Sequence, residues 1–346
     1  MEILDKRNYF EYEQFASKHA FSFMQSVNWA KVKTEWQHEV IVARDDNGKI
    51  CGGMLVLIRE IFPKVVLLYS PRGPVGDIHD KALWEELLKG VKILADRYDA
   101  FMFKVDPLVH EDDEEFISMA YSFGFTHLPK AREYDTIQRR YNYVLNLNTD
   151  EDSLLMSFKS KCRYHIRLAQ RSGVSCEILG REGLSDFARL HEITGKRKGF
   201  SVRSKEYYEK LFDAFGENVK IMLCSYRGEV VSGCLLCTYQ GVTSYIFAAS
   251  TEKYKNTQAS SLMNWEAIKY AKSKGCHTYD FMAVPVDLDE KSCMWGVYQF
   301  KSGFNGEVKP YAGEFNLVFS NTRTNIFNTA LKFKHFINQL QLKASK

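Results

Sequence analysis

Two hydrophobic periods alternate along the chain, and the alternation runs twice. Runs at about 37–44, 49–60 and 64–70 are rich in Val, Ile and Leu and read as strands. Asp45-Asp-Asn-Gly48, between the first two, is a hairpin turn. Leu83, Leu87, Val91 and Leu94 then recur at helical spacing and predict a helix over 80–97. Short helices at 8–20 and 26–36 precede this block; a strand at 99–105 and a helix at 111–123 follow it. The second pass starts after a strand at 141–147. It brings an acidic helix start at Thr149-Asp-Glu-Asp152, a basic run at 158–173, and helices at 184–198 and 204–215. Strands at 218–226, 229–239 and 242–250, a helix at 257–274 and a strand at 277–284 come next. Strands near 307–320 and a basic helix at about 322–342 close the chain.

The two passes share landmarks. Gly48 and Gly228 stand 180 residues apart, as do Gly53 and Gly233, and Phe101-Met102 and Phe281-Met282 keep the same offset. Matching offsets with matching element order indicate a duplication. The expectation is two α/β (α+β) domains of one fold, with the cleft between them as the default site. The predicted boundaries are 1–146 plus about 318–346 for the first domain and 147–317 for the second.

The length of 346 residues agrees with two cores rather than one. A net charge of +4 excludes a global polycation, so any nucleic-acid contact has to come from a local patch. Eight cysteines are scattered without zinc spacing. Cys234-x-x-Cys237 lies in an apolar strand-like run, where residues three apart face opposite ways, so no metal is expected. The N-terminus lacks a signal-type apolar core, and no run of eighteen apolar residues occurs. Free cysteines without an export signal point to a reducing, cytoplasmic location.

Candidate chemistry concentrates in Trp295-Gly-Val-Tyr-Gln-Phe-Lys-Ser-Gly-Phe-Asn-Gly306. Lys301 stands there among four aromatics, a setting that costs an ammonium its hydration unless an anion or a developing negative charge faces it. A lysine snorkelling past aromatic packing is the alternative. Asp106 closes the 99–105 strand, where loops of α/β sheets meet ligands; it is a candidate base for an amine proton or, equally, part of an Asp-Pro turn. Lys159, Lys161, Arg163, Arg167 and Arg171 form a basic run without an acid, suited to a phosphate backbone or to bracing.

The order of two helices, a meander, a helix and a strand resembles the GNAT type of acyltransferase fold, here in tandem. Neither helix start after a meander carries the glycines that let a backbone cradle a pyrophosphate, which argues against coenzyme A as donor. Over nearly its whole length the chain resembles the FemABX aminoacyl-tRNA-dependent peptidyltransferases. The resemblance rests on Gln25-Ser26-x-x-Trp29-x-x-x-Lys33, Pro71-Arg-Gly-Pro-Val75 and Lys161-x-Arg163-x-x-Ile166-Arg167-x-Ala169. It continues through Thr194-x-x-Arg197-x-x-Phe200-x-x-Arg203-x-x-x-Tyr207 and Tyr298-x-Phe300-Lys301-x-x-Phe304. Asn305 departs from the glycine common after that phenylalanine, and no long heptad-bearing arm is present, so the compact type is expected.

The resemblance implies transfer of an aminoacyl group from aminoacyl-tRNA to the stem-peptide amine of UDP-MurNAc-pentapeptide or lipid II, with no other cofactor. It implies electrostatic stabilisation by Lys301, with Phe300 excluding water. Lys33 and Arg203 would hold the precursor's phosphates, with Tyr207, Trp29 and Arg72 beside the substrate. Lys159, Lys161, Arg163 and Arg167 would face the tRNA. The protein is expected to be a monomer; its basic C-terminal helix, with Lys332, Lys343 and Lys346, is by default a solvated helix and otherwise a candidate for peripheral contact with an anionic membrane. A coenzyme-A-dependent N-acyltransferase and a non-catalytic binder of precursor or tRNA are the rival readings.

Overall fold

The computed structural model describes residues 1–127, 136–286, 288, 290–292 and 294–330. The chain forms two compact units. Among the described residues, the first holds 1–16 and 33–127 and resumes at 312; the second holds 17–32 and those from 136 to 311.

The first unit is built on a seven-stranded sheet ordered Glu2–Ile3, Gln37–Arg44, Ile50–Phe62, Val65–Ser70, Ala100–Val105, Phe315–Val318, Thr126–His127. Neighbours run antiparallel except Val65–Ser70 and Ala100–Val105. A parallel pair needs a crossover, and the Lys81–Tyr98 helix supplies it. The Asp80 carboxylate caps that helix by accepting from the backbone N–H groups of Ala82 and Leu83. Its predicted stripe, Leu83, Leu87, Val91 and Leu94, is buried against Ile41, Met54, Leu68, Phe103 and Phe315. Each such side chain contributes roughly 1.5–3 kcal/mol.

The second unit repeats the scheme. Its sheet is ordered Glu307–Pro310, Tyr141–Asn146, Thr278–Ala283, Val242–Ser250, Glu229–Tyr239, Val219–Tyr226, Ser175–Leu179. The Ala259–Ser273 helix crosses between the parallel strands Val242–Ser250 and Thr278–Ala283. Gly48 and Gly228, the first landmarks of the repeat, both have φ of 78°, a conformation in which a side chain would be strained.

Several expectations are corrected. The Tyr141–Asn146 strand pairs with Thr278–Ala283 and Glu307–Pro310, so the chain enters the second sheet before residue 147. Phe315–Val318 is already back in the first sheet. The Val27–Val32 helix belongs to the second unit, where Phe23 meets both Trp29 and Phe215 edge-on at 5.3 and 5.9 Å. Cys176 and Cys224 are not free: they face each other across Ser175–Leu179 and Val219–Tyr226, 4.2 Å apart at Cα, and are disulfide-bonded. Residues 321–330 are helical, whereas Lys332, Lys343 and Lys346 lie outside the described residues. Among the described residues no helix is long and apolar enough to cross a membrane.

Candidate active site

The two parallel ladders differ. In the first unit Val66–Ser70 pairs with Ala100–Val105 to the strand ends. In the second the ladder holds three pairs, Val242–Thr278, Thr243–Tyr279 and Ser244–Asp280, and goes no further. Beyond them Tyr245–Ser250 keeps its partners on the other side, in Glu229–Tyr239. The facing edges therefore part after Ser244 and Asp280.

Lys301 sits where they part. It ends the Trp295–Lys301 helix and is 6% exposed. Its ammonium donates to the carbonyls of Phe281 at 2.6 Å, Ala283 at 2.7 Å and Met282 at 3.4 Å. An ammonium has three N–H donors, so all three are committed. The snorkelling alternative is thereby excluded, since the head group is buried and engaged rather than in water. Burial lowers the Lys301 pKa to about 8, opposed by the charge of Asp280. Phe304, fully buried, packs on Phe281 and Phe158 with centroids 5.1 and 5.2 Å away, and Phe300 meets Phe304 at 5.6 Å. These rings form one aromatic cluster around the end of the Trp295–Lys301 helix.

The turn after Lys301 explains the residue that departs from the family pattern. Asn305 has φ of 54°, the left-handed region that glycine favours and asparagine tolerates best among the rest. Gly306 follows because a Cβ there would stand 2.4 Å from the Val144 carbonyl oxygen. The Gly306 carbonyl accepts from the Tyr143 hydroxyl at 2.8 Å, which fixes the turn against the sheet.

Arg203 and Tyr207 come together as expected: the exposed guanidinium lies over the ring, 4.9 Å from its centroid. Trp29 is a core residue, 5% exposed. The helix that was to put Trp29 and Lys33 on one face ends at Val32, so the argument from helical spacing does not apply to Lys33. Asp106 is fully buried. One carboxylate oxygen accepts from the Tyr69 hydroxyl at 2.9 Å and the other from the Arg72 backbone N–H at 2.8 Å. Burial pushes its pKa up to about 6 against the nearby Arg72 charge. Arg72 has φ of 58° in a buried loop. Asp106 thus braces that left-handed residue, a structural engagement with the Tyr69–Arg72 segment rather than within an Asp-Pro turn.

The basic run forms the Ser160–Arg171 helix. Lys161, Arg167 and Arg171 are exposed, with Tyr164 between them at 55% exposure. Lys159, also exposed, and the half-buried Arg163 are tied to neighbouring backbone and side chains. The Lys159 ammonium donates to Ser302 Oγ at 3.2 Å and its backbone N–H to the Gly303 carbonyl at 2.9 Å, while Arg163 donates to the carbonyls of Met156 and Phe158. Lys159 thus braces the turn that follows Lys301, and Arg163 the end of the preceding Glu151–Ser157 helix. Sequence reasoning missed the partners of this centre, Asp280 and Asn142, because their contact joins residues 138 positions apart.

With this geometry in view, comparison with known proteins is informative. The FemAB family matches residues 8–229 and 225–332. The chain belongs to the FemAB family. It is 26% identical to the lipid II:glycine glycyltransferase of Staphylococcus epidermidis, across 97% of each chain. Among solved structures it resembles FemX with a TM-score of 0.87 and 24% identity, covering 94% of this chain and 99% of FemX. A tandem GNAT protein from the clavulanic acid biosynthesis pathway superposes at a TM-score of 0.54 with 10% identity over 91% of this chain and 97% of its own. The tandem GNAT-like architecture expected from the element order is therefore the fold of this FemAB member.

Proposed function

We propose that this FemAB protein transfers an aminoacyl group from aminoacyl-tRNA to the stem-peptide amine of a peptidoglycan precursor, lipid II or its UDP-linked form, building an interpeptide bridge. The observation that carries the reading is the buried Lys301 ammonium at the opening of the second unit's parallel ladder. A relative matched along its length is named a lipid II:glycine glycyltransferase, which supports the acceptor class. The acceptor amine attacks the ester carbonyl of the donor, the C–N bond forms through a tetrahedral oxyanion, and the C–O bond to the tRNA ribose breaks. The released ribose oxygen takes up the proton that the amine loses. The donor ester is already activated, so the protein's task is positioning and charge stabilisation. With its N–H groups committed to carbonyls, Lys301 acts as a fixed positive charge beside the reacting carbonyl rather than as a donor to the oxyanion.

The exposed face of the Ser160–Arg171 helix, with Lys161, Arg167 and Arg171, suits the tRNA backbone. Arg203, pre-ordered over Tyr207, suits a phosphate of the precursor. Tyr254 and Gln258, both with positive φ, precede the Ala259–Ser273 helix where a pyrophosphate cradle would use bare glycine backbone. That supports a donor other than coenzyme A. The test is incubation with tRNA charged with each amino acid in turn and with lipid II or UDP-MurNAc-pentapeptide. A mass increase of the acceptor by an aminoacyl residue is the expected result.

A further inference from the structure

The seat of Lys301 is made by a backbone irregularity. The ladder between Thr278–Ala283 and Tyr141–Asn146 passes from Asp280–Val144 directly to Ala283–Asn142, so one strand carries an extra residue. Within that bulge Met282 has φ of 63°, a conformation costly for an unbranched side chain outside glycine. The three carbonyls that receive the Lys301 ammonium are those of the bulge, Phe281, Met282 and Ala283. Something has to hold the bulge in this form. One oxygen of Asp280 accepts from the Met282 backbone N–H at 2.6 Å, and the other accepts from Asn142 Nδ2 at 2.9 Å. Asn142 is 4% exposed and stands in the strand opposite Ala283.

We propose that Asp280, oriented by Asn142, is a positioning residue for the transfer site: its carboxylate fixes the left-handed Met282 peptide whose flanking carbonyls seat the Lys301 ammonium. The inference rests on the reading of Lys301 as the fixed charge of that site. Without the carboxylate the Met282 N–H loses its acceptor, the peptide relaxes toward an ordinary extended form, and the carbonyls no longer converge. A charge displaced by about 1 Å is enough to cost roughly 100-fold in rate.

The experiment is a double-mutant cycle in the aminoacyl-transfer assay, with Lys301 ammonium signals followed by NMR of 15N-lysine-labelled protein. Asp280→Ala is expected to lower kcat about 10- to 100-fold with KM for both substrates within about twofold. In a Lys301→Ala background it is expected to change kcat by less than about twofold. Asp280→Asn, which keeps an acceptor for the Met282 N–H and can pair with a flipped Asn142 amide, is expected to retain the slowly exchanging Lys301 ammonium protons that Asp280→Ala loses. Wild-type kcat in Asp280→Ala beside an impaired Lys301→Ala overturns the inference, as do losses that multiply in the double variant. If Lys301→Ala itself transfers at the wild-type rate, the reading of the transfer site fails, and the NMR signal alone then judges the seat: its persistence in Asp280→Ala overturns it. Should Asp280→Ala not fold, Asn142→Ala takes its place with the same expected losses.

Discussion

Lys301 Nζ lies 2.7 Å from the Ala283 carbonyl oxygen, and the same ammonium reaches Phe281 and Met282. A lysine so held is a charge whose place is set by backbone, and this constrains how it responds to pH. Burial lowers its pKa to about 8 from the model-compound value of 10.5. The ammonium is charged below that pH and becomes neutral above it. If the charge stabilises the transition state, kcat falls as pH rises through about 8. Lys301→Arg, which stays charged throughout, is expected to lose turnover because a planar guanidinium cannot converge on three carbonyls, yet to lose the alkaline limb as well. A pH–rate series on both proteins checks this.

Asp106 gives a stability prediction with the opposite chemistry. Its folded-state pKa of about 6 exceeds the 3.8 of an unburied carboxyl, so the folded state holds the proton more tightly. The stability this lends is full below pH 3.8 and is lost as pH rises through about 6. Relative to Asp106→Asn, the wild type should lose roughly 2–3 kcal/mol between pH 4 and 7. Asp106→Ala strands the Tyr69 hydroxyl and the Arg72 N–H and should cost about 2–4 kcal/mol at pH 4, a cost that shrinks as pH rises through about 6. Urea unfolding at two pH values separates the variants.

The basic helix yields a contrast within seven residues. Lys161→Ala and Arg167→Ala, on the exposed face, should each reduce the salt dependence of tRNA binding by about 0.7–0.9 in log–log slope. Arg163→Ala should leave that slope unchanged and lower the melting temperature instead, because its guanidinium closes the Met156 and Phe158 carbonyls. Filter binding across a salt series, with a melt for each variant, reads both effects.

For Arg203→Ala the expected change is in acceptor KM, raised about tenfold with kcat within about twofold, since uniform binding of a phosphate is lost. Arg203→Lys should recover little, because the stack on Tyr207 uses the planar guanidinium. The effect should shrink with an acceptor lacking the diphosphate. Steady-state kinetics with both acceptors tests it.

What the sequence made legible was whatever is local. The hairpin glycines at 48 and 228 are required by a positive φ, so they survive at a fixed offset and reveal the repeat. The Leu83–Leu94 stripe is legible because helical periodicity and burial are the same fact. Arg203, just before the Lys205–Phe215 helix, and Tyr207, in its first turn, are four residues apart, and their stack is local. Contacts between distant residues were not legible. Nothing near Cys176 announces Cys224, and nothing near Asp280 announces Asn142, since strand register decides both. The spacing argument for Lys33 failed for a different reason: the Val27–Val32 helix ends one residue too soon for it to apply. Asp106 was placed at a strand end correctly, but its engagement by Tyr69 and the Arg72 loop is visible only in three dimensions.

The central claim is that a fixed positive charge at the parted strands drives aminoacyl transfer. The most direct measurement is single-turnover transfer from labelled aminoacyl-tRNA to lipid II by the wild type and by Lys301→Met. The account predicts labelled lipid II with the wild type, and a rate lowered about 100- to 1,000-fold in Lys301→Met with acceptor affinity within about threefold. Equal rates in the two proteins, or no labelled lipid-linked or UDP-linked product with any charged tRNA, would contradict it.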